Sequence, residues 1–273
     1  MPQNHTKTFL QSSPDYVSPG GVADIRELIN VTAGELTHVT LPPNKISRPA
    51  YVHPCSEWFY VVAGTGQLWD GMSRKTLTLS PGTCVRIPPG CPFQYRSGSS
   101  WLEFVLAALP KWEKQYHHAL QSGEWVPNLS AEDALETNPE IGIGDPIEVH
   151  HRKYMPTHTA PDGSTIWELG SEDAGGLAIC ELPQGRTSSP VQHREVEEIW
   201  YVLQGHGELS RRKHGSELRI VALRPSTSVY VAPRETFQFR STGTGSLVIL
   251  ILTMPAWPGP DEALPAAQGG AWL

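Results

Sequence analysis

The sequence has little that would suit a nucleic-acid, membrane or disulfide-rich protein. Its 273 residues include 21 Lys and Arg against 28 Asp and Glu, so the net charge of -7 leaves no basic excess for a phosphate backbone or an anionic membrane. The four cysteines do not have the spacing of a metal ribbon or a disulfide framework. We therefore expect small molecules or proteins as partners, and neither nucleic acid nor a membrane.

Long apolar runs are also missing. The first residues contain no apolar core of the length that a signal peptide needs, and no segment is long enough to span a membrane. Residues 247–252 are apolar but have only the length of a buried strand. Without an export signal the cysteines are most simply reduced thiols, which predicts a cytoplasmic protein.

The pattern of a long helix is the third absence. Short alternating runs are separated by clusters of Gly, Pro, Asn and Asp, which is typical of a β-sandwich or barrel. Hydrophobic residues make up 39% of a chain that is long enough to bury two cores. These features predict an all-β fold with two domains.

Internal repetition indicates where the two domains lie. Residues 190–205, PVQHREVEEIWYVLQG, have a weaker copy in residues 49–64, PAYVHPCSEWFYVVAG, and flanking residues repeat at an offset of 141. Each copy has a histidine, a glutamate, an aromatic and β-branched run, and a glycine. We predict domains at 1–112 and 157–273, joined by a connector at 113–156. Short helices are expected at 111–122 and 130–137, followed by a loop at 138–145.

The repeated motifs resemble those of the cupin superfamily. Residues 53–64, followed by Pro81-Gly82 and the IPPG sequence at 87–90, are similar to the two paired cupin motifs. The second repeat matches through His193, Glu198, Gly205 and Pro233. The resemblance covers both repeats, about two thirds of the chain. It implies a bicupin: two tandem double-stranded β-helix (jelly-roll) domains, each a small barrel able to hold one ligand, joined by a short, partly helical connector.

The resemblance also implies a metal site. Many cupins bind Mn, Fe, Zn or Ni through two histidines and a glutamate of the first motif and a histidine of the second. Aligned to that pattern, the first repeat has Tyr51, His53, Glu57 and Phe93, and the second has Val191, His193, Glu198 and Phe237. Only His53, Glu57, His193 and Glu198 are expected ligands, so each barrel supplies two donors where a catalytic metal usually has three. Both a divalent metal and no cofactor remain open.

A catalytic role without metal is equally open for the two His/Glu pairs. Tyr51, His53 and Glu57 share strand parity and would face one way, so these three are the candidate catalytic residues. Tyr51 and Cys55 are also candidate third metal ligands. His193 and Glu198 have opposite parity and both face inward only if a bulge lies within residues 194–197. If only one barrel is active, the polar Tyr51 favours the first.

Aromatic residues indicate the kind of ligand. Phe59 and Trp200 share the glutamates' face, and Phe93 and Phe237 replace histidines at the barrel mouth, so an open cavity would suit a ring-bearing metabolite. Gln94 and Gln238 follow the ligand position and are included as candidate substrate contacts, although a regular strand would turn them away to bond locally. The adjacent pairs His117-His118 and His150-His151 are set aside, because neighbouring strand residues point apart.

Three functional classes follow. The first is a non-redox enzyme of small organic metabolites, such as an isomerase, cyclase or lyase, using a His/Glu pair with or without a divalent metal. The second is a non-catalytic binding bicupin with vestigial sites. The third is a metal-dependent, quercetinase-like dioxygenase, which needs more ligands than the sequence offers. Exposed strand edges are compatible with a homodimer.

Overall fold

The computed structural model describes residues 6–8, 14–19, 21–120, 125, 145–152, 155–266 and 270–272. The chain divides into two compact units. The first is Ser12–His151, and the second combines Arg152–Leu273 with Met1–Gln11. Two strands of the predicted connector belong to the first unit, since they pair with its strands.

Short strands make up nearly all of both units, in agreement with the predicted all-β fold. The strands of the first unit are β2 (Tyr16–Val17), β3 (Asp24–Asn30), β4 (Glu35–Leu41), β5 (Ala50–Val52), β6 (Ser56–Ala63), β7 (Gly66–Asp70), β8 (Lys75–Leu79), β9 (Thr83–Ile87), β10 (Phe93–Ser97), β11 (Leu102–Leu109), β12 (His117–Ala119) and β13 (Glu148–His151).

The second unit has an equivalent for each of these strands. They are β1 (Thr6–Thr8), β14 (His158–Thr159), β15 (Thr165–Glu172), β16 (Gly175–Leu182), β17 (Val191–His193), β18 (Glu197–Gln204), β19 (Gly207–Arg212), β20 (Arg219–Leu223), β21 (Thr227–Val231), β22 (Thr236–Ser241), β23 (Leu247–Met254) and β24 (Ala263–Pro265).

Each unit contains one seven-stranded and one five-stranded sheet. The first unit has the orders β13-β9-β6-β11-β4-β3-β2 and β12-β5-β10-β7-β8. The second has β1-β21-β18-β23-β16-β15-β14 and β24-β17-β22-β19-β20. The two orders correspond strand for strand, so each unit is a jelly roll and the repeat predicted from the sequence is a structural repeat.

Aromatic rings from the two sheets of a unit meet between them. In the first unit, Phe59 of β6 contacts Phe93 and Tyr95 of β10 edge-on, with ring centroids 6.0 Å apart in both pairs. In the second unit, Trp200 of β18 contacts Phe237 and Phe239 of β22 at 5.6 Å and 5.1 Å. Edge-to-face pairs of this kind stabilise a core beyond the area they bury. The core of each unit therefore lies between its two sheets.

The glycine that closes each repeated motif is required by its turn. Gly64 and Gly205 have φ of +75° and +84°, a region that other residues rarely adopt. A Cβ at Gly64 would lie 1.6 Å from the Trp101 backbone oxygen, and one at Gly205 would lie 2.3 Å from that of Ser246. The turn after the motif thus depends on a residue without a side chain.

The described part of the predicted connector is less helical than the sequence suggests. Within the predicted helix at 111–122, the structure has one 3-10 turn, Lys114–Tyr116, which leads directly into β12. The helix expected at 130–137 and all but the last residue of the loop at 138–145 lie outside the described residues. Among the described residues, no helix has the length and apolar character that crossing a membrane requires.

Candidate functional site

The second unit encloses a cavity of about 270 Å³ between its sheets. Its walls are largely apolar and include the rings of Trp200, Phe237, Phe239 and Trp257. An apolar cavity with a few convergent polar groups is the usual form of a small-molecule site. The polar groups of this cavity are therefore the candidate functional residues.

His193 and Glu198 form the centre of the polar wall. Both line the cavity and are 4% and 5% exposed, and His193 Nδ1 lies 4.0 Å from Glu198 Oε1. Trp200 Nε1 donates a hydrogen bond of 2.7 Å to Glu198 Oε2. Burial raises the pKa of the Glu198 carboxyl, while the charge of His193 and the Trp200 hydrogen bond lower it. The pair is buried, adjacent and open to the cavity.

The chain between His193 and Glu198 explains how both side chains face inward. β17 ends at His193 and β18 begins at Glu197, so residues 194–196 interrupt the strand where the sequence predicts an irregularity. The Glu262 carboxylate accepts hydrogen bonds from the backbone N–H groups of Glu195 and Val196, at 2.6 Å and 2.8 Å. This contact holds the bend that offsets the odd spacing.

Asp162, Ser164 and Cys180 add to the polar wall. Ser164 donates two hydrogen bonds to Asp162 Oδ1, 2.8 Å from its backbone N–H and 2.7 Å from its hydroxyl. Burial raises the pKa of Asp162, and the Ser164 bonds and His193 lower it. Burial also raises the pKa of the Cys180 thiol well above its ordinary value, and Asp162 adds to the effect. Cys180 is therefore a neutral thiol and a poor nucleophile.

The first unit has a smaller cavity of about 80 Å³. Its polar wall includes Glu35, Glu57 and His117, beside the rings of Phe93 and Trp112. Burial, followed by the neighbouring Glu35, raises the pKa of Glu57 to about 8, and burial raises that of Glu35 to about 7. This cavity thus contains two carboxyl groups whose pKa values are raised into the neutral range.

His193 has no histidine at its equivalent position in the first unit. The backbone N–H of Gly90 bonds to the Val52 carbonyl at 2.7 Å, as the N–H of Arg234 bonds to the His193 carbonyl at 2.8 Å. Both Val52 and Glu57, and His193 and Glu198, are five residues apart. Val52 therefore corresponds to His193.

The expected pairing of His53 with Glu57 is corrected by this register. The backbone N–H of His53 bonds to the Tyr116 carbonyl, as that of Arg194 bonds to the Glu262 carbonyl, and both His53 and Arg194 are exposed. His53 thus lies outside the cavity that Glu57 lines. The offset of 141 residues in the repeat aligns His53 with Arg194 and not with His193. The sequence therefore already indicated that His53 is not the equivalent of His193.

A histidine reaches the first cavity from a different strand. His117 of β12 lies directly opposite Val52, whereas Ala263 of β24 lies opposite His193. Directly opposed residues on neighbouring strands project to the same face. The histidine of this face is therefore on β12 in the first unit and on β17 in the second. His117 is half-buried, and burial lowers its pKa. The sequence interpretation set His117 aside because neighbouring strand residues point apart, and a three-residue strand in the connector carries almost no periodic signal that could have corrected it.

The other predicted site residues divide into two groups. Phe59 and Phe93 line the first cavity, and Trp200 and Phe237 line the second, as the strand parity predicts. Tyr51, Gln94 and Gln238 do not line either cavity, and they form the second group together with Cys55.

The residues of the second group make contacts elsewhere. Tyr51 stacks on His118 with ring centroids 4.6 Å apart. The side-chain amide of Gln94 donates to the Ser47 carbonyl at 2.8 Å, and that of Gln238 donates to the carbonyls of Ser188 and Trp272. Cys55 is buried. The two glutamines therefore support the backbone and do not contact a ligand in either cavity.

The donor set does not fit a catalytic transition metal. Among the described residues, no three His, Cys, Asp or Glu side chains are grouped closely enough to hold a metal ion. In the second cavity, Glu198 Oε2 is already bonded to the Trp200 indole. Catalytic metal sites usually have three protein ligands, and the described residues of this cavity do not supply them.

Comparison with known proteins agrees with the architecture. The family model "Cupin domain" matches residues 37–105. The oxalate decarboxylase of Lactobacillus farciminis, solved as a formate complex, superposes with a TM-score of 0.67 at 14% identity, covering 97% of this chain and 89% of that one.

Two further solved structures have the same tandem arrangement. A deletion mutant of Bacillus subtilis oxalate decarboxylase has a TM-score of 0.67 at 13% identity, covering 97% of this chain and 80% of that one. The 7S globulin of Momordica charantia has a TM-score of 0.63 at 14% identity, covering 93% and 83%. No curated protein sequence matches. At these identities the solved structures show the fold alone. The family match over residues 37–105 and the two jelly rolls confirm the predicted resemblance to the bicupins of the cupin superfamily.

Proposed function

We propose that the second unit binds a ring-bearing organic metabolite and transforms it by non-redox proton transfer, as an isomerase, cyclase or lyase does. The observation that carries this proposal is the buried pair of His193 and Glu198 on the wall of an apolar cavity of about 270 Å³. The solved relatives named as oxalate decarboxylases act on a small molecule within the same fold. Fold likeness at this identity does not transfer their reaction.

The chemistry assigned to the pair is general acid–base catalysis. His193 would abstract a proton from the bound molecule, and Glu198, whose pKa is raised by burial, would hold or return a proton beside it. Trp200 orients the Glu198 carboxyl through its indole N–H. The aromatic walls would exclude bulk water and leave the pair as the available proton carriers.

Hydrogen–deuterium exchange at carbon tests this proposal. Ring compounds with an acidic C–H next to a carbonyl are incubated with the protein in D₂O, and exchange is followed by NMR. We expect catalysed exchange that falls roughly 100-fold or more in His193→Ala and in Glu198→Gln, the size of effect usual for a general acid or base. His53→Ala is the matched control, because His53 is the exposed histidine of the equivalent motif in the first repeat. This variant should retain the wild-type exchange rate.

The outcomes separate the alternatives. Loss of exchange in His53→Ala with full activity in His193→Ala would refute the assignment to the second unit. Binding of ring compounds without any exchange in the wild-type protein would support the non-catalytic binding role instead.

A further inference from the structure

Three hydrogen-bond donors in the wall of the second cavity are already engaged. The Thr253 hydroxyl donates to the Gly176 carbonyl at 3.3 Å, and the Ser164 hydroxyl donates to Asp162 at 2.7 Å. The Trp200 indole N–H donates to Glu198 at 2.7 Å. A ligand that needs donors from these three groups would have to break an existing bond.

The polar groups that remain open to a ligand include an imidazole and carboxyl oxygens. His193 Nδ1 is fully buried and has no hydrogen-bond partner among the described residues. Glu198 Oε1 lies 4.0 Å away, which is too far for a hydrogen bond. A buried polar atom without a partner costs free energy that a bound molecule can recover. The imidazole is therefore not held by a hydrogen bond from Nδ1 to Glu198 or to another described residue, and a small turn of the ring would present this atom to a ligand.

The wall has several carboxyl groups but no permanent cation. Asp162, Glu168 and Glu198 line the cavity together with His158 and His193, and no lysine or arginine is among its described lining residues. A carboxylate or phosphate ligand would be buried beside carboxyl groups without a fixed cation, which disfavours binding. Hydroxyl or amino groups would instead donate to the free carboxyl oxygens.

Ring faces complete the environment of His193. The rings of Phe237 and Trp257 contact the imidazole edge-on, with centroids 5.1 Å and 5.2 Å away. Aromatic faces attract other rings and also cations. The space beside His193 therefore suits a flat, apolar molecule with a donor group at one edge.

We infer that the ligand of the second cavity is an uncharged or positively charged ring compound bearing hydroxyl or amino donors, and not an organic acid. This inference rests on the proposed function, since it describes the substrate of the same cavity. It separates the second unit from any site built for oxalate, which is a dicarboxylate. The carboxyl groups of the wall, without a lysine or arginine among its described lining residues, lead to this class.

Three probes that differ mainly in charge test the inference. Benzoate, benzyl alcohol and benzylamine are titrated into the full-length protein at neutral pH by calorimetry, with tryptophan fluorescence as a second measurement because Trp200 and Trp257 line the cavity. We expect the alcohol or the amine to bind at least about tenfold more tightly than benzoate, which corresponds to about 1.4 kcal/mol. Glu198→Gln should narrow that ratio, whereas the matched control Glu57→Gln, at the equivalent position in the first unit, should leave it unchanged.

Each outcome bears on a different statement. Benzoate binding as tightly as the other two probes would overturn the inference and leave the proposed function standing. Failure of all three probes to bind would overturn the proposed function, and the inference with it. A ratio that disappears in Glu57→Gln but persists in Glu198→Gln would place the discrimination in the first unit and also overturn the inference. If Glu198→Gln does not fold, Asp162→Asn replaces it with the same expected direction.

Discussion

β5 of the first unit and β17 of the second occupy equivalent places in the five-stranded sheets of their units. At equivalent positions, however, β5 has Val52 and β17 has His193. On the neighbouring edge strand the histidine is in the first unit instead: β12 has His117 where β24 has Ala263. Each cavity thus receives an imidazole from one of these two neighbouring strands, β12 in the first unit and β17 in the second. The comparison teaches that the fold conserves the place of a polar group more closely than the strand that supplies it.

A second pair of equivalent positions shows the same freedom. Arg211 of β19 forms a bidentate ion pair with Glu235, which directly precedes β22. The N–O distances are 2.9 Å and 2.5 Å, and both residues are buried. In the first unit these positions are Asp70 and Cys91, and the Cys91 thiol donates to the carboxylate at 3.5 Å. Two unrelated polar solutions fill one site of the fold.

The largest effect is expected where one partner of the buried ion pair is removed. Glu235→Ala leaves the buried Arg211 charge unpaired and should lower the free energy of unfolding of the second unit by about 3–5 kcal/mol. Cys91→Ala should cost the first unit about 1 kcal/mol, since Asp70 keeps the backbone N–H groups of Met72 and Ile147. Urea denaturation monitored by hydrogen exchange in β22 and β10 measures both. Equal losses in the two variants would contradict the comparison.

The next effect concerns pH and distinguishes the two cavities. The pKa values of Glu57 and Glu35 are raised by burial to about 8 and about 7, from an ordinary value of 4.5. The folded first unit therefore binds protons that the unfolded chain has released, so its stability should fall as pH rises from about 4.5 to about 8. We expect a loss on the order of 2 kcal/mol, larger than in the second unit, where His193 opposes the shift of Glu198.

Thermal unfolding followed by hydrogen exchange in each unit, across this pH range, measures the loss. The double variant Glu35→Gln/Glu57→Gln should flatten the pH dependence of the first unit, while Glu217→Gln, at an exposed position, should not. A first unit whose stability rises over the same range would refute the prediction.

The smallest effect is expected at a partly exposed side-chain pair that occurs at equivalent positions in the five-stranded sheets of the two units. Arg240 pairs with Glu208 at 2.8 Å and 2.6 Å, and the equivalent Arg96 bonds to the neutral Gln67. Because the first pair is about one third exposed, Glu208→Gln should cost less than about 1 kcal/mol, and Gln67→Glu should gain a similar amount. Both changes should fade in high salt. Equilibrium denaturation at two salt concentrations tests them, and a salt-independent change would show that the charge is not its cause.

Much of the fold could be read from the sequence, because strand alternation and turn glycines are local signals that appear twice. The repeat located Glu57, Glu198 and the aromatic walls, whose parity follows from continuous strands. The histidines were harder to place, because His53 follows the end of β5 and a shift of one residue exchanges inside and outside. His117 depended on tertiary pairing of a three-residue strand, for which no local pattern exists.

The outermost strands β12 and β24 have a consequence for how such a chain can evolve or be rebuilt. Each lies after the aligned repeat and contributes one wall position to a cavity, so a change there alters the chemistry of the site without disturbing the eleven other strands of the unit. Divergence after duplication can proceed through these terminal pieces while the barrels stay intact. A designer could likewise treat the segments 113–120 and 258–266 as exchangeable inserts that carry the chemistry of a site from one barrel to another.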